Sequence, residues 1–206
     1  MKTRFVFVHE FQKIVGQEVA KRALEISIIG QHSILLVGPS GMGKTALKLC
    51  ADEMVTQLYE EPMLFIYESW PCPCSHYGDS LKECVCTADE IRIFEAKFPV
   101  TEMVVPVPRV GYDKLKLSCE GETNSQIFER IEKALKFEEK NTLSLKIPDD
   151  AQKLYKRAVD SLGFSAREYF TNIQLARTIA TLDFSEDIKT QHVAEAIQYR
   201  MRKSTL

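Results

Sequence analysis

Gly38-Pro39-Ser40-Gly41-Met42-Gly43-Lys44-Thr45 is the stretch whose reading decides the fold. It fits G-x-x-x-x-G-K-[ST], the spacing of a P-loop. Glycines let backbone N–H groups turn inward around phosphate oxygens. The lysine reaches the β- and γ-phosphates, and the threonine hydroxyl serves Mg²⁺. Ser33-Ile34-Leu35-Leu36-Val37 before the loop reads as a buried strand. Thr45-Ala46-Leu47-Lys48-Leu49 after it opens a helix, whose amino end adds partial positive charge. A chance glycine-rich turn would not be expected to match the full motif in a strand-to-helix setting. Residues 38–45 are therefore the expected seat of a nucleoside triphosphate, with Mg²⁺ at Thr45.

Working outward, residues 17–30 carry Val19, Ala23, Ile26 and Ile29 at helical spacing, ended by Gly30. The helix opened at Lys44 runs to about Tyr59. Met63-Leu64-Phe65-Ile66-Tyr67 reads as a second buried strand. A loop rich in cysteine and proline follows, then a helix over residues 88–98. Met103-Val104-Val105-Pro106-Val107 is a third strand, and Pro106 marks it as an edge or an end. Beyond residue 116 only helices are predicted. Thr123 with Gln126 and Ser165 with Glu168 are capping boxes, each opening a helix. Between them, Pro148-Asp149 opens another helix, which stops at Gly163. The last helix starts near Thr190. The fold class is α/β: a P-loop domain over residues 1–116, containing the Cys-rich loop 71–86, then an α-helical domain over 117–206.

The 206 residues suffice for one domain or two small ones. A net charge of −2 gives no global basic field for nucleic acid. Arg200, Arg202 and Lys203 could touch phosphate locally or simply suit a helix carboxyl end. No apolar run approaches a membrane span, and residues 1–10 lack a signal-peptide core, so a leading strand or arm of a cytoplasmic protein is expected.

Hydrolysis asks for more than the loop. A P-loop NTPase also holds Mg²⁺ with an acidic residue at the end of a hydrophobic strand. Four apolar residues followed by Asp-Glu occur nowhere in the chain. Asp52-Glu53 falls in a helix, and Asp89-Glu90 follows a turn. Glu68, after the second strand, is either a degenerate catalytic acid or only a strand-end carboxylate.

Cys72, Cys74, Cys84 and Cys86 crowd one short window, while Cys50 and Cys119 stand alone. In a reducing compartment such pairs read as metal ligands before disulfides. Four thiolates satisfy tetrahedral Zn²⁺, with His76 as a substitute ligand. The Cys-x-Cys spacing is tighter than the common Cys-x2-Cys, so a metal-free turn remains the alternative.

The run Phe11-Gln12-Lys13-Ile14-Val15-Gly16-Gln17-Glu18-Val19-Ala20 resembles the opening of magnesium-chelatase-like AAA+ ATPases, in their ComM-like branch. Pro71-Cys72-Pro73-Cys74, Tyr77-Gly78-Asp79, Val107-Pro108-Arg109-Val110 and Ser165-Ala166-Arg167 follow in that family's order. The resemblance implies a shortened P-loop AAA+ nucleotide-binding domain followed by an α-helical lid. It implies an adenine pocket near Val15 and Gly16, and a lid arginine at Arg167 that contacts the γ-phosphate. ATP and Mg²⁺ are the implied cofactors, with a homo-oligomer and DNA as implied partners. The family's Walker-B strand has no counterpart between Thr45 and Cys72. By position, residues 63–70 match the sensor-1 strand, with Trp70 where an Asn is expected. ATP binding with doubtful hydrolysis is the resulting expectation; the alternatives are an active DNA-acting ATPase of branch-migration type, or a non-functional remnant of one. Without the Walker-B strand, the remaining strands must pair anew or leave the core unfilled.

Overall fold

The computed structural model describes residues 7–116, 121–141 and 143–200. Cys119, Arg202 and Lys203 lie outside the described residues, as does most of the amino-terminal arm. Strand β1 (Ile34–Val37) follows helix α1 (Glu18–Gly30) and runs into the P-loop and helix α2 (Lys44–Leu58). Strand β2 (Ile66–Ser69), helix α3 (Ala88–Glu95) and strand β3 (Met103–Pro106) come next. Five helices complete the chain: α4 (Tyr112–Lys116), α5 (Asn124–Lys140), α6 (Asp149–Leu162), α7 (Ala166–Leu182) and α8 (Thr190–Gln198).

The three strands form one parallel sheet in the order β2-β1-β3. Ile34 lies beside Ile66 on one side and Met103 on the other, and Val37 beside Ser69 and Pro106. A parallel strand paired on both sides and covered on both faces must be apolar throughout. Ile34, Leu35 and Leu36 meet that demand and are fully buried. Side chains alternate across a sheet, so Ile34, Leu36, Ile66, Met103 and Val105 share one face and join the main core. Helix α1 packs against α2, α5, α7 and β3, and one apolar cluster runs from Phe11 to Tyr199. The sheet has thus closed up: β2 pairs directly with the P-loop strand.

The second strand differs from its expected bounds of 63–67. It starts at Ile66, because β1 has only four residues to pair with and Ile34 takes Ile66 as partner. Phe65 still accepts the Ile34 N–H at 3.0 Å. Met63 sends its N–H to the Gln31 side chain instead, and its own side chain is 75% exposed. An apolar run is not evidence of burial where the sheet has no further neighbour.

Gly30 is the last helical residue of α1, and Gln31 takes the left-handed position after it, with φ of 52°. Helix α3 stops at Glu95, short of the expected 98. The two expected capping boxes are present, and Thr87 with Glu90 forms another at the start of α3. Helix α4, in the stretch between sheet and helices, carries no strong sequence signal.

Asn124 ties the amino-terminal segment to α5. Its Oδ1 accepts the Phe11 N–H at 2.7 Å, and its Nδ2 donates to the His9 carbonyl at 2.6 Å. Asn124 is 3% exposed. Asn124→Ala strands both backbone groups, so a loss of about 2–3 kcal/mol is expected. Urea unfolding measures it, and a loss below about 0.5 kcal/mol would mean water replaces the amide.

Candidate functional site

The P-loop leaves β1 where both neighbouring strands end. The Gly38 N–H donates to the Ser69 carbonyl at 3.2 Å, and the Val107 N–H to the Val37 carbonyl at 2.7 Å. Gly38 passes so near β3 that a Cβ there would stand 2.1 Å from the Val107 carbonyl oxygen. Gly41 and Gly43 have φ of 78° and 89°, the left-handed region in which backbone N–H groups can face one concavity.

Lys44 is the first residue of α2 and is 7% exposed. Its Nζ donates to the Gly38 and Pro39 carbonyls, both at 2.7 Å. Burial lowers its pKa, and the Glu68 carboxylate opposes the shift. The Thr45 hydroxyl donates to Glu68 Oε2 at 2.8 Å. A cleft of about 650 Å³ opens here, lined by Ser40, Gly41, Lys44, Thr45, Glu68 and Trp70 among others. The structure therefore brings Glu68, of β2, onto the Thr45 hydroxyl. It also sets Trp70 in the cleft wall, half exposed.

Val15 and Gly16 lie in the half-buried turn before α1. Gln17 fastens this turn: its Nε2 donates to the Pro108 carbonyl at 2.7 Å and to the Met42 carbonyl of the P-loop at 3.4 Å. Gly16 packs beside Val110, and Ile14 beside Gly43. Arg167 is not among the residues that line the cleft. It sits exposed in the first turn of α7 and makes no hydrogen bond or ion pair among the described residues. Arg200 is engaged locally, stacked on Phe164 at 4.8 Å and donating to the Leu162 carbonyl.

Four cysteines converge beyond Trp70. The Sγ of Cys72 lies 3.4 Å from that of Cys74 and 3.7 Å from that of Cys84, and Cys74 to Cys84 is 3.5 Å. All four sulfurs, including that of Cys86, fall within 4.8 Å of one another. A tetrahedron with metal–sulfur bonds of about 2.3 Å has edges of about 3.8 Å, so the spacing fits one metal ion. The donor set is wholly soft thiol. The Tyr77 N–H donates to Cys72 Sγ at 3.3 Å. Backbone N–H groups, first that of His76 and then that of Val85, help pull the Cys74 thiol down, while desolvation pushes Cys84 up and, with the crowded thiols around it, Cys86 as well, so without a metal one sulfur ionises well before its neighbours. Thiolate is the form that binds metal. The His76 ring is not part of the cluster. Cys50 is a core thiol of α2, pushed up to about 12 by burial.

The loop is pinned a second time. Asp79 takes two hydrogen bonds from Arg109, Nε to Oδ1 at 2.8 Å and Nη2 to Oδ2 at 2.7 Å. The Asp79 side chain is shielded from solvent, and Arg109 beside it holds its carboxyl well below the usual range. Both residues stand out in the sequence as parts of separate motifs; their pairing across 30 positions is visible only in three dimensions. An apolar cavity of about 460 Å³, lined by Pro39, Pro71, Tyr77, Phe98, Val107 and Tyr199 among others, lies between this loop, the P-loop shoulder and α8.

These features define a mixed α/β protein with a small parallel sheet, a P-loop-type turn and many helices. Residues 10–69 match the family model of magnesium chelatase, subunit ChlI, and residues 121–200 match that of the ChlI C-terminal region. The chain belongs to the magnesium-chelatase-like family and is ComM-like within it. It is similar to the uncharacterized protein YifB of Escherichia coli, 23% identical over 305 residues, covering 93% of this chain and 60% of the relative. It is likewise similar to the competence protein ComM of Haemophilus influenzae, 22% identical over 302 residues, covering 91% of this chain and 59% of the relative. The chain spans about three-fifths of the length of these relatives. Each alignment is longer than the 206-residue chain itself, so it skips segments of the relative.

The close approach at Gly38 gives a test of the loop's packing. In Gly38→Ala the new methyl meets backbone, which cannot rotate away. A loss of about 1–3 kcal/mol is expected, read from the thermal midpoint; an unchanged midpoint would show the P-loop free to lift off β3.

Proposed function

We propose that this chain is an ATP-binding protein of the AAA+ type that turns ATP over negligibly. The observation that carries the reading is the convergence of Lys44, Thr45 and Glu68 on one cleft at the amino end of α2. There the inward-turned backbone and the helix end suit the phosphates. Lys44 exchanges its two carbonyl partners for phosphate oxygens, and Thr45 with Glu68 holds Mg²⁺. The turn at Val15 and Gly16, fastened to the P-loop by Gln17, is the candidate seat of the adenine. Residues 1–116 are assigned as the nucleotide-binding part and 117–206 as the lid.

Turnover needs charges placed where the transition state develops them, usually the largest catalytic contribution. Trp70 lines the cleft, and by the family resemblance it takes the place of an Asn; its indole can donate a hydrogen bond but not accept one. Arg167 lies outside the cleft lining. As the lid arginine, Arg167 would have to reach the γ-phosphate from the start of α7, where its side chain is exposed. Arg200, tied to Phe164 and Leu162, lends no support to the alternative of action on DNA. Cys72, Cys74, Cys84 and Cys86 are assigned a structural Zn²⁺ on the donor set and sulfur spacing.

Lys44→Ala is expected to weaken ATP binding at least tenfold, since hydrogen bonds to charged groups contribute about 1.5–3 kcal/mol. Phosphate release by the unaltered protein should match that of Lys44→Ala; release well above it sinks the low-turnover reading. Metal analysis of the reduced protein should find one Zn²⁺ per chain, and much less than one per several chains ends that assignment.

A further inference from the structure

The segment between β2 and α3, residues 70–87, contains neither helix nor strand. Ordered loops beyond about 12–15 residues are uncommon and need ties of their own. Here the ties are the four sulfurs and the Asp79–Arg109 pair, and both lead to the P-loop. Along the chain, Cys72 is fully buried and stands two residues past Trp70, a wall of the cleft. Ser69, one residue before Trp70, accepts the Gly38 N–H that holds the start of the P-loop. Across the fold, Asp79 grips Arg109, next to Pro108. The Pro108 carbonyl takes the Gln17 amide, which also reaches Met42 inside the P-loop. One end of the P-loop is thus tied to the cysteine cluster through Ser69 and Trp70. Its middle is tied through Gln17, Arg109 and Asp79.

We infer that metal loading of the four cysteines sets the affinity of the P-loop cleft for ATP. The inference rests on the nucleotide and metal assignments above and adds a coupling between the two sites. With the sulfurs held on one ion, residues 70–87 keep a single arrangement, Trp70 stands in the cleft wall and Asp79 is presented to Arg109. With the sulfurs released, the loop samples many arrangements, and ATP binding must then order it at its own expense. That cost appears as weaker binding. Coupling between binding sites is reciprocal, so ATP must tighten metal binding by the same factor.

The chain has a single tryptophan, Trp70, so its emission reports the cleft directly. Titrations of Mg²⁺-ATP are compared for zinc-loaded protein, protein stripped with a chelator, and protein stripped and reloaded. Stripping is expected to shift Trp70 emission and weaken ATP binding about fivefold or more, with reloading restoring both. Asp79→Asn leaves every thiol in place and cuts the second tie; stripping should then change its ATP affinity less than it changes that of the unaltered protein. If stripped protein unfolds, the reciprocal measurement decides: saturating ATP should tighten zinc binding by the same factor, and zinc affinity unchanged by ATP overturns the coupling. ATP affinity that is the same in loaded protein and in stripped but folded protein overturns the coupling and leaves nucleotide binding standing. Loaded protein that binds no ATP overturns the nucleotide reading, and the coupling with it.

Discussion

The carboxyl end of β1 is the constraint on which the site depends. A parallel strand is held on both sides by slanted hydrogen bonds, and the last of these fall on Gly38, Val37 and their neighbours. They fix where the chain stops being sheet and becomes loop. From that point Gly38 must clear β3, Lys44 must fold back under the loop, and α2 must leave with its amino end toward the cleft. Because β2 pairs directly with β1, its alternation carries Glu68 to the α2 side of the sheet, within reach of Thr45. The position of that carboxylate follows from sheet register.

The electrostatics of the cleft follow from the same geometry. Lys44 is buried among main-chain carbonyls, whose partial charges only partly replace water around an ammonium. Desolvation accordingly pulls its pKa down. A lysine held this way gains more from an anion than an exposed one, because low effective dielectric strengthens each charge pair. Glu68 works against a naked anion and in favour of a metal-bound one. On the proposed ATP-binding reading, the pair of charges would favour phosphate that arrives with a cation over phosphate alone.

Much of this was legible in the sequence because it is local. The P-loop, the helices after residue 120 and the capping boxes at Thr123 and Ser165 are set by neighbours within a few positions, where steric and hydrogen-bonding rules act directly. The four cysteines were legible because chemistry, not conformation, marks them. Bounds that depend on a partner were read less well. The second strand shifted because its limits are set by β1, and Gln31 rather than Gly30 took the left-handed turn. The Thr45–Glu68, Asp79–Arg109 and Gln17–Pro108 contacts join segments far apart in sequence, and no local rule forecasts them. Arg167 shows the converse: its place in a capping-box turn was readable, while where that turn stands in the fold is set by the packing of α7 on α1 and α8.

The exposed side of β2 shows what a small sheet costs. Phe65 and Tyr67 stack at 6.4 Å on a face where Phe65 is largely and Tyr67 partly open to solvent. A parallel strand normally buries such residues under a helix. The relatives' alignments skip segments that this chain lacks, and an uncovered aromatic pair at the sheet edge is the expected result of having fewer elements to lay over it. The same edge carries Glu68, Ser69 and Trp70 into the cleft. The working face of the strand is thus supported mainly from β1, with little packing behind it. Ties beyond the strand, at the cysteines and at Asp79, then carry a larger share of holding Trp70 in place than they would in a sheet covered on both faces.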